Sequence, residues 1–136
     1  MSNKKIHLAL NTADLSRSVK FYEALFGVKP TKLKEKYAKF DLIEPAVNFT
    51  LNQVERVEGN HISHLGIQVK TSKEVFSEKS RLETLGLKTL LEEGTDCCYA
   101  LQDKVWVKDP DGNAWEIFVV VQEGENRKSE NSTCCA

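Results

Sequence analysis

Two stretches of this chain echo each other, and the echo constrains the fold more than any single segment does. HLALN, beginning at His7, returns as HLGIQV, beginning at His64, about 57 residues later. A repeat at fixed spacing is the first organisational feature to test, because each copy must then be one supersecondary unit. In the first copy, residues 6–10 read as a short apolar strand. Leu15, Val19, Tyr22 and Phe26 follow at helical spacing, with Asp14 placed to cap the start and Gly27 to end the helix. Strands are expected over residues 36–42 and 46–51, separated by a turn at Pro45, which cannot sit inside a central strand. The second copy runs in the same order. Residues 64–69 read as a strand, Thr71 and Glu74 fit a capping box, and Val75, Leu82 and Leu85 stripe a helix that Gly86 terminates. Further strands are expected over residues 87–91, 105–108 and 114–121, the last entered through the turn DPDGN at residues 109–113.

This order predicts an α+β fold: two tandem β-α-β-β-β modules, at about residues 5–55 and 62–121, forming one curved mixed sheet around a metal-binding cleft. A sheet that carries one helix covers only one of its faces, so two such units can curve their open faces around a shared space. The 136 residues suffice for one domain with its own core. Residues 122–136, QEGENRKSENSTCCA, contain almost nothing apolar and read as a disordered tail ending in Cys134 and Cys135. With 19 Lys and Arg against 20 Asp and Glu, the charge balance gives no support for nucleic-acid binding. Nor is any apolar run long enough to span a membrane or to act as a signal peptide, so the cytoplasm is the expected location. Four cysteines in two adjacent pairs do not form a disulfide framework and suit a reducing compartment.

The segment GTDCCYALQDKVW, from Gly94 to Trp106, holds the least ordinary chemistry. A disulfide between adjacent residues closes a strained ring, so Cys97 and Cys98 read as free thiols. In a loop, both can turn toward one thiophilic centre such as Zn, Cu(I) or trivalent arsenic. The alternative is a pair of small apolar fillers at a core edge, since unpaired cysteine is among the most buried residue types. Asp96 beside Cys97 opposes thiolate formation unless Lys104 folds over the pair.

A second constellation follows from the repeat. His7 and His64 occupy the same place in the two copies, and Glu116 lies in the apolar run AWEIFVVV with Trp115, Ile117 and Val119 on the opposite strand face. Two imidazoles and one carboxylate leave open positions on a metal, as in non-haem Fe(II) oxygenases, and Zn or another divalent ion can use the same ligands. A cation would also compensate a carboxylate set among apolar neighbours. The alternatives are half-exposed strand histidines and a Glu116–Lys104 ion pair. Only one copy supplies the carboxylate: the first has Asn48 or Thr50 near the matching position, depending on where the gap falls. His61 competes with His64 in the HxxH run, but His64 is the one in register with His7, which leaves His61 peripheral.

From about residue 5 to 121 the chain resembles the vicinal oxygen chelate superfamily, through HLALNTADLSRSVKFYEALFG, HLGIQV and DPDGNAWEIFVV. Within it, KEKYAKFDLIEPAVNFTLN and GTDCCYALQDKVWVKDPDGNAWEIFVV are similar to the organoarsenical carbon–arsenic lyases and the related cadmium-induced proteins. The resemblance implies that His7, His64 and Glu116 bind Fe(II), although these lyases often carry Gln where His7 stands. It implies that Cys97 and Cys98 bind the arsenic of a trivalent methyl- or arylarsenical, with Gln102 nearby and Tyr99 and Lys104 in catalytic positions. The expected reaction consumes dioxygen and releases inorganic arsenite. Cys134 and Cys135 become an auxiliary arsenic site, and a homodimer is compatible with the family. Two rival expectations stand beside this one: a non-catalytic arsenic- or cadmium-binding resistance protein, and a dioxygenase of the same superfamily acting on a substrate without arsenic.

Overall fold

The computed structural model describes residues 5–59, 62–97 and 100–123, with the backbone alone described at residues 96, 97, 100 and 123. It divides into two compact units, Met1–Asn60 with Asp109–Gly112, and His61–Lys108 with Asn113–Ala136.

The first unit contains β1 (Ile6–Thr12), α1 (Leu15–Phe26), β2 (Lys32–Lys34), β3 (Tyr37–Leu42) and β4 (Val47–Gln53), in a sheet of order β1-β4-β3-β2. The second contains β5 (Leu65–Gln68), α2 (Ser72–Thr84), β6 (Leu90–Cys97), β7 (Ala100–Lys108) and β8 (Ala114–Glu123), in the order β5-β8-β7-β6. The two orders are the same once corresponding strands are matched. In each sheet the first strand pairs parallel with the last, and the other pairings are antiparallel. The expected α+β fold of paired modules is therefore present, with its strands in two four-stranded sheets, one per module.

Local sequence accounts for the helices. Asp14 accepts a hydrogen bond from the Arg17 amide at 3.2 Å, satisfying one of the amides the first turn leaves unpaired, and Gly27 closes α1 at φ 71, a conformation that a side chain disfavours. Leu15, Val19, Tyr22 and Leu25 form the buried stripe. It meets β3 and β4 in an aromatic cluster where Tyr22 and Phe49 lie 4.5 Å apart and Phe26 and Phe49 5.2 Å apart, centroid to centroid. Burying such rings is the largest apolar contribution a unit of this size can make.

α2 starts at Thr71, which accepts from the Glu74 amide at 3.2 Å. The reciprocal half of the capping box is displaced by one residue: Glu74 accepts from the amide of Lys70 rather than from that of Thr71. Val75 and Leu82 are buried as expected, whereas Leu85 caps the C-terminal end and is 54% exposed.

The turn between β7 and β8 packs with the first unit. Tyr22 donates to Asp109 at 2.6 Å, and Asp111 accepts from the Ala13 amide at 3.1 Å. The carboxylates of DPDGN thus help fix the start of α1, beyond making a turn.

Candidate active site

Alternation along β7 and β8 builds the site. Val105, Val107, Trp115, Ile117 and Val119 are buried on the face that α2 covers. Because successive strand side chains point to opposite faces, Gln102, Lys104 and Trp106 share the other face of β7, and Glu116 and Phe118 that of β8. Register brings these together, since Trp106 lies opposite Glu116 and Lys104 opposite Phe118. On the parallel side Gly66 lies opposite Glu116. A Cβ at that glycine would stand 3.0 Å from Glu116 Cγ and 3.3 Å from the Phe118 ring, so the close approach of β5 to the carboxylate depends on the missing side chain.

Glu116 is 6% exposed and Lys104 wholly buried. The Lys104 Nζ donates to Glu116 Oε2 at 3.3 Å, and His64 Nε2 stands 3.8 Å from the same oxygen. The ammonium also lies 5.6 Å from the Trp106 ring centroid and 5.9 Å from that of Phe118, where the negative ring faces attract a cation. His64 meets Trp106 edge-on at 5.4 Å. One carboxylate is thus surrounded by an ammonium, an imidazole and two aromatic rings. An ion withdrawn from water this far needs such compensation.

The histidine orientations bear on metal binding. His7, on β1, has its Nδ1 2.9 Å from the Asn48 carbonyl oxygen. A carbonyl only accepts, so Nδ1 carries the proton and the neutral ring keeps its lone pair on Nε2, the state in which imidazole ligates metals. His64 has its Nδ1 3.0 Å from Ser63 Oγ, a hydroxyl that can donate or accept, and its Nε2 toward Glu116. Opposite His7 in the register, Asn48 Oδ1 is buried without a hydrogen-bond partner among the described residues. The donor chemistry suits a divalent cation. Among the described residues no three His, Cys, Asp or Glu side chains converge, however, and His7 belongs to the first unit while His64 and Glu116 belong to the second.

Register also fixes the repeat equivalence. Ala9 pairs with Thr50 as Gly66 pairs with Glu116, so with His7 matched to His64 the counterpart of Glu116 is Thr50, not Asn48.

The thiol segment differs from the loop expected around Cys97. Strand β6 runs on through Cys97, whose backbone pairs with Ala100. EEGTD has no apolar alternation to announce a strand, yet β7 supplies hydrogen-bonding partners, and an irregularity between Glu92 and Thr95, with Gly94 at φ 58, absorbs the mismatch. Asp103 holds this bulge, accepting from the Gly94 amide at 2.8 Å and from Ser72 Oγ at 2.6 Å. Along β7, six residues separate Ala100, the partner of Cys97, from Trp106, the partner of Glu116. At strand rise that is about 20 Å. Gln102 lies between these levels and is 5% exposed. Cys98, Tyr99, His61, Cys134 and Cys135 lie outside the described residues, as does the side chain of Cys97.

Gly66, Asp103 and the ring of Trp106 were not singled out from sequence as site components. Trp106 was reachable, standing two residues from Lys104 in an alternating strand. Gly66 and Asp103 act through cross-strand partners that local pattern does not reveal.

Residues 5–117 match the Glyoxalase/Bleomycin resistance protein/Dioxygenase superfamily. A "Trivalent organoarsenical cleaving enzyme" from Bacillus sp. strain MD1 is 47% identical, over 97% of this chain and 83% of the relative. "Cadmium-induced protein CadI" from Mycobacterium tuberculosis is 38% identical, over 96% of this chain and 92% of the relative. Among solved structures, a "glyoxalase/bleomycin resistance protein/dioxygenase" from Alicyclobacillus acidocaldarius superposes with a TM-score of 0.70 at 18% identity, over 88% of this chain and 93% of the other.

Proposed function

We propose, from the premise that this chain belongs to the Glyoxalase/Bleomycin resistance protein/Dioxygenase superfamily, that it cleaves the carbon–arsenic bond of trivalent organoarsenicals and releases inorganic arsenite. The observation that carries this reading is the 47% identity, across 97% of the chain, to a relative named for that activity.

In this proposal Cys97 and Cys98 hold the arsenic as paired thiolates, which suit a soft centre. His7, His64 and Glu116 hold ferrous iron, and the bound iron supplies the activation of dioxygen. His64 and Glu116 bring one imidazole nitrogen and one carboxylate oxygen within 3.8 Å, and the proton held on His7 Nδ1 leaves its Nε2 able to ligate. Lys104 balances the charge of Glu116, and with Tyr99 it stabilises negative charge on oxygen as the organic fragment departs. Gln102 lines the path between the thiol and carboxylate levels. The separation of about 20 Å along β7 requires the hairpin bearing Cys97 to bend toward Glu116 before one arsenical can reach both. Cys134 and Cys135 serve as an auxiliary arsenic site.

A non-catalytic sequestration protein is the second reading. It is favoured by the Lys104–Glu116 pair, because the carboxylate already has a cation and needs no metal for charge balance. The readings separate in variants assayed for both iron content and turnover. Under the lyase reading, Cys97→Ser raises the substrate concentration needed for half-maximal rate, and Glu116→Ala abolishes iron loading and arsenite release. Stoichiometric arsenical binding without oxygen-dependent arsenite release favours sequestration. Full activity in a Cys97→Ser/Cys98→Ser protein favours a dioxygenase of another substrate.

A further inference from the structure

Strand register sets which groups face the Lys104 ammonium. Lys104 on β7 lies opposite Glu92 on β6 and opposite Phe118 on β8, while Trp106 lies opposite Glu116. Directly paired strand residues project on one face, so two carboxylates flank the lysine. Glu92 is turned to another task, because its Oε1 accepts from the Trp106 indole at 2.7 Å. Among the described residues the ammonium therefore pairs with Glu116, at 3.3 Å from Oε2. Its side chain is wholly buried, and the rings of Trp106 and Phe118 stand 5.6 and 5.9 Å from it. A surface lysine swings into water when a second cation arrives. This one is enclosed by the sheet face and stays beside the carboxylate.

We propose that Lys104 is a built-in competitor for the metal: its ammonium holds the divalent affinity of the His64–Glu116 pair low enough for the ion to exchange, and it keeps Glu116 compensated when the ion leaves. The inference rests on the assignment of His64 and Glu116 as metal ligands and adds what governs their occupancy. Carboxylate oxygens approach a small divalent ion to about 2.2 Å. An ion taking Glu116 Oε2 as a ligand would thus have the Lys104 nitrogen no more than about 5.5 Å away. Like charges at that distance repel strongly inside a protein, where the effective dielectric is well below that of water. An imidazole ligates in its neutral form and adds no charge. Glu116 and Lys104 consequently cancel, and the pair leaves the ion's own charge uncompensated. Without the ammonium, the buried carboxylate would meet the ion with its full negative charge.

The test is calorimetric titration of manganous ion into reduced, metal-free protein, an ion that favours carboxylate over the thiolates this chain also carries. Lys104→Met removes the charge, and Lys104→Gln removes it while keeping a donor for Glu116. Lys88→Met, at an exposed lysine, controls for net charge. Each Lys104 variant should bind the ion at least about tenfold more tightly than the wild-type protein, and Lys88→Met should bind it as the wild type does. Adding Glu116→Gln to Lys104→Met should cancel the gain. Misfolding cannot imitate the result, because it weakens binding. Equal or weaker affinity in a folded Lys104 variant overturns the inference and leaves the metal ligands standing. No manganous binding in any of the proteins overturns the ligand assignment, and the inference with it. If both Lys104 variants fail to fold, the wild-type protein decides: ion lost on gel filtration into metal-free buffer supports the inference, and ion retained at one per chain overturns it.

Discussion

Replacing Lys104 by Met keeps most of the side-chain volume and removes its charge, leaving Glu116 without its ammonium. The pair is 3.3 Å apart, with side chains 0% and 7% exposed, so water cannot substitute for the lost partner as it would at the surface. Removing one member of such a buried pair typically costs about 3–5 kcal/mol, chiefly because the remaining charge stays buried and uncompensated. His64, 3.8 Å from the same oxygen, can take over part of the compensation, which places the expectation at the lower end, about 3 kcal/mol. Urea denaturation of metal-free, reduced protein at neutral pH measures it directly. Adding Glu116→Gln should recover more than about 1 kcal/mol of the loss, because the double variant buries no carboxylate charge. Ferrous or manganous ion should stabilise the single Lys104→Met variant by an amount that grows with the logarithm of its affinity, since a ligand that binds only the folded state raises stability by mass action. A cost below about 1 kcal/mol, or one that Glu116→Gln leaves unchanged, would refute the buried-pair reasoning.

Three further outcomes follow from the same geometry. Gly66→Ala should destabilise the protein by about 1–3 kcal/mol in urea titrations, since the new methyl meets Glu116 Cγ at 3.0 Å in a packed setting; a neutral result would show that β5 shifts freely. Tyr22→Phe, which removes the donor to Asp109 at 2.6 Å, should cost about 1.5–3 kcal/mol by the same measurement, as expected for a hydrogen bond to a carboxylate. Asp103→Ala frees the Gly94 amide and Ser72 together and should alter the rate at which Cys97 reacts with a thiol reagent while leaving iron affinity unchanged; unchanged thiol reactivity would mean the bulge holds without the carboxylate.

Much of the architecture was legible because two signals reinforced each other. The HLALN and HLGIQV echo announced the duplication, and the β-α-β-β-β order appears in both units. Helix boundaries followed from Asp14, Gly27 and Thr71, residues whose chemistry acts on the chain immediately beside them. Strand β2 was missed because KLK is too short and too exposed to show a pattern; Lys39 and Ala38 on β3 make it a strand. The extension of β6 to Cys97 was hidden for a related reason, since EEGTD carries no alternation and depends on β7 for its hydrogen bonds. Most of β7 escaped notice too, because buried Gln102 and Lys104 make the face away from α2 look polar in sequence.

In the site, the proximity of His64 to Glu116 was readable from repeat position and strand polarity. Its environment was only half readable. The Glu116–Lys104 pair stood as an alternative to a metal, whereas the structure has the carboxylate facing both Lys104 and His64. Gly66 could be understood only after β5 and β8 were placed side by side, because its role is to have no Cβ at one contact.

The most direct measurement is arsenite release from a trivalent organoarsenical by iron-loaded protein, followed with and without dioxygen and repeated with Cys97→Ser/Cys98→Ser. Carbon–arsenic cleavage should require dioxygen, continue through many turnovers, and fall sharply in the double variant. Arsenical that binds and is recovered intact under air, or turnover that is indifferent to both cysteines, would contradict the central claim.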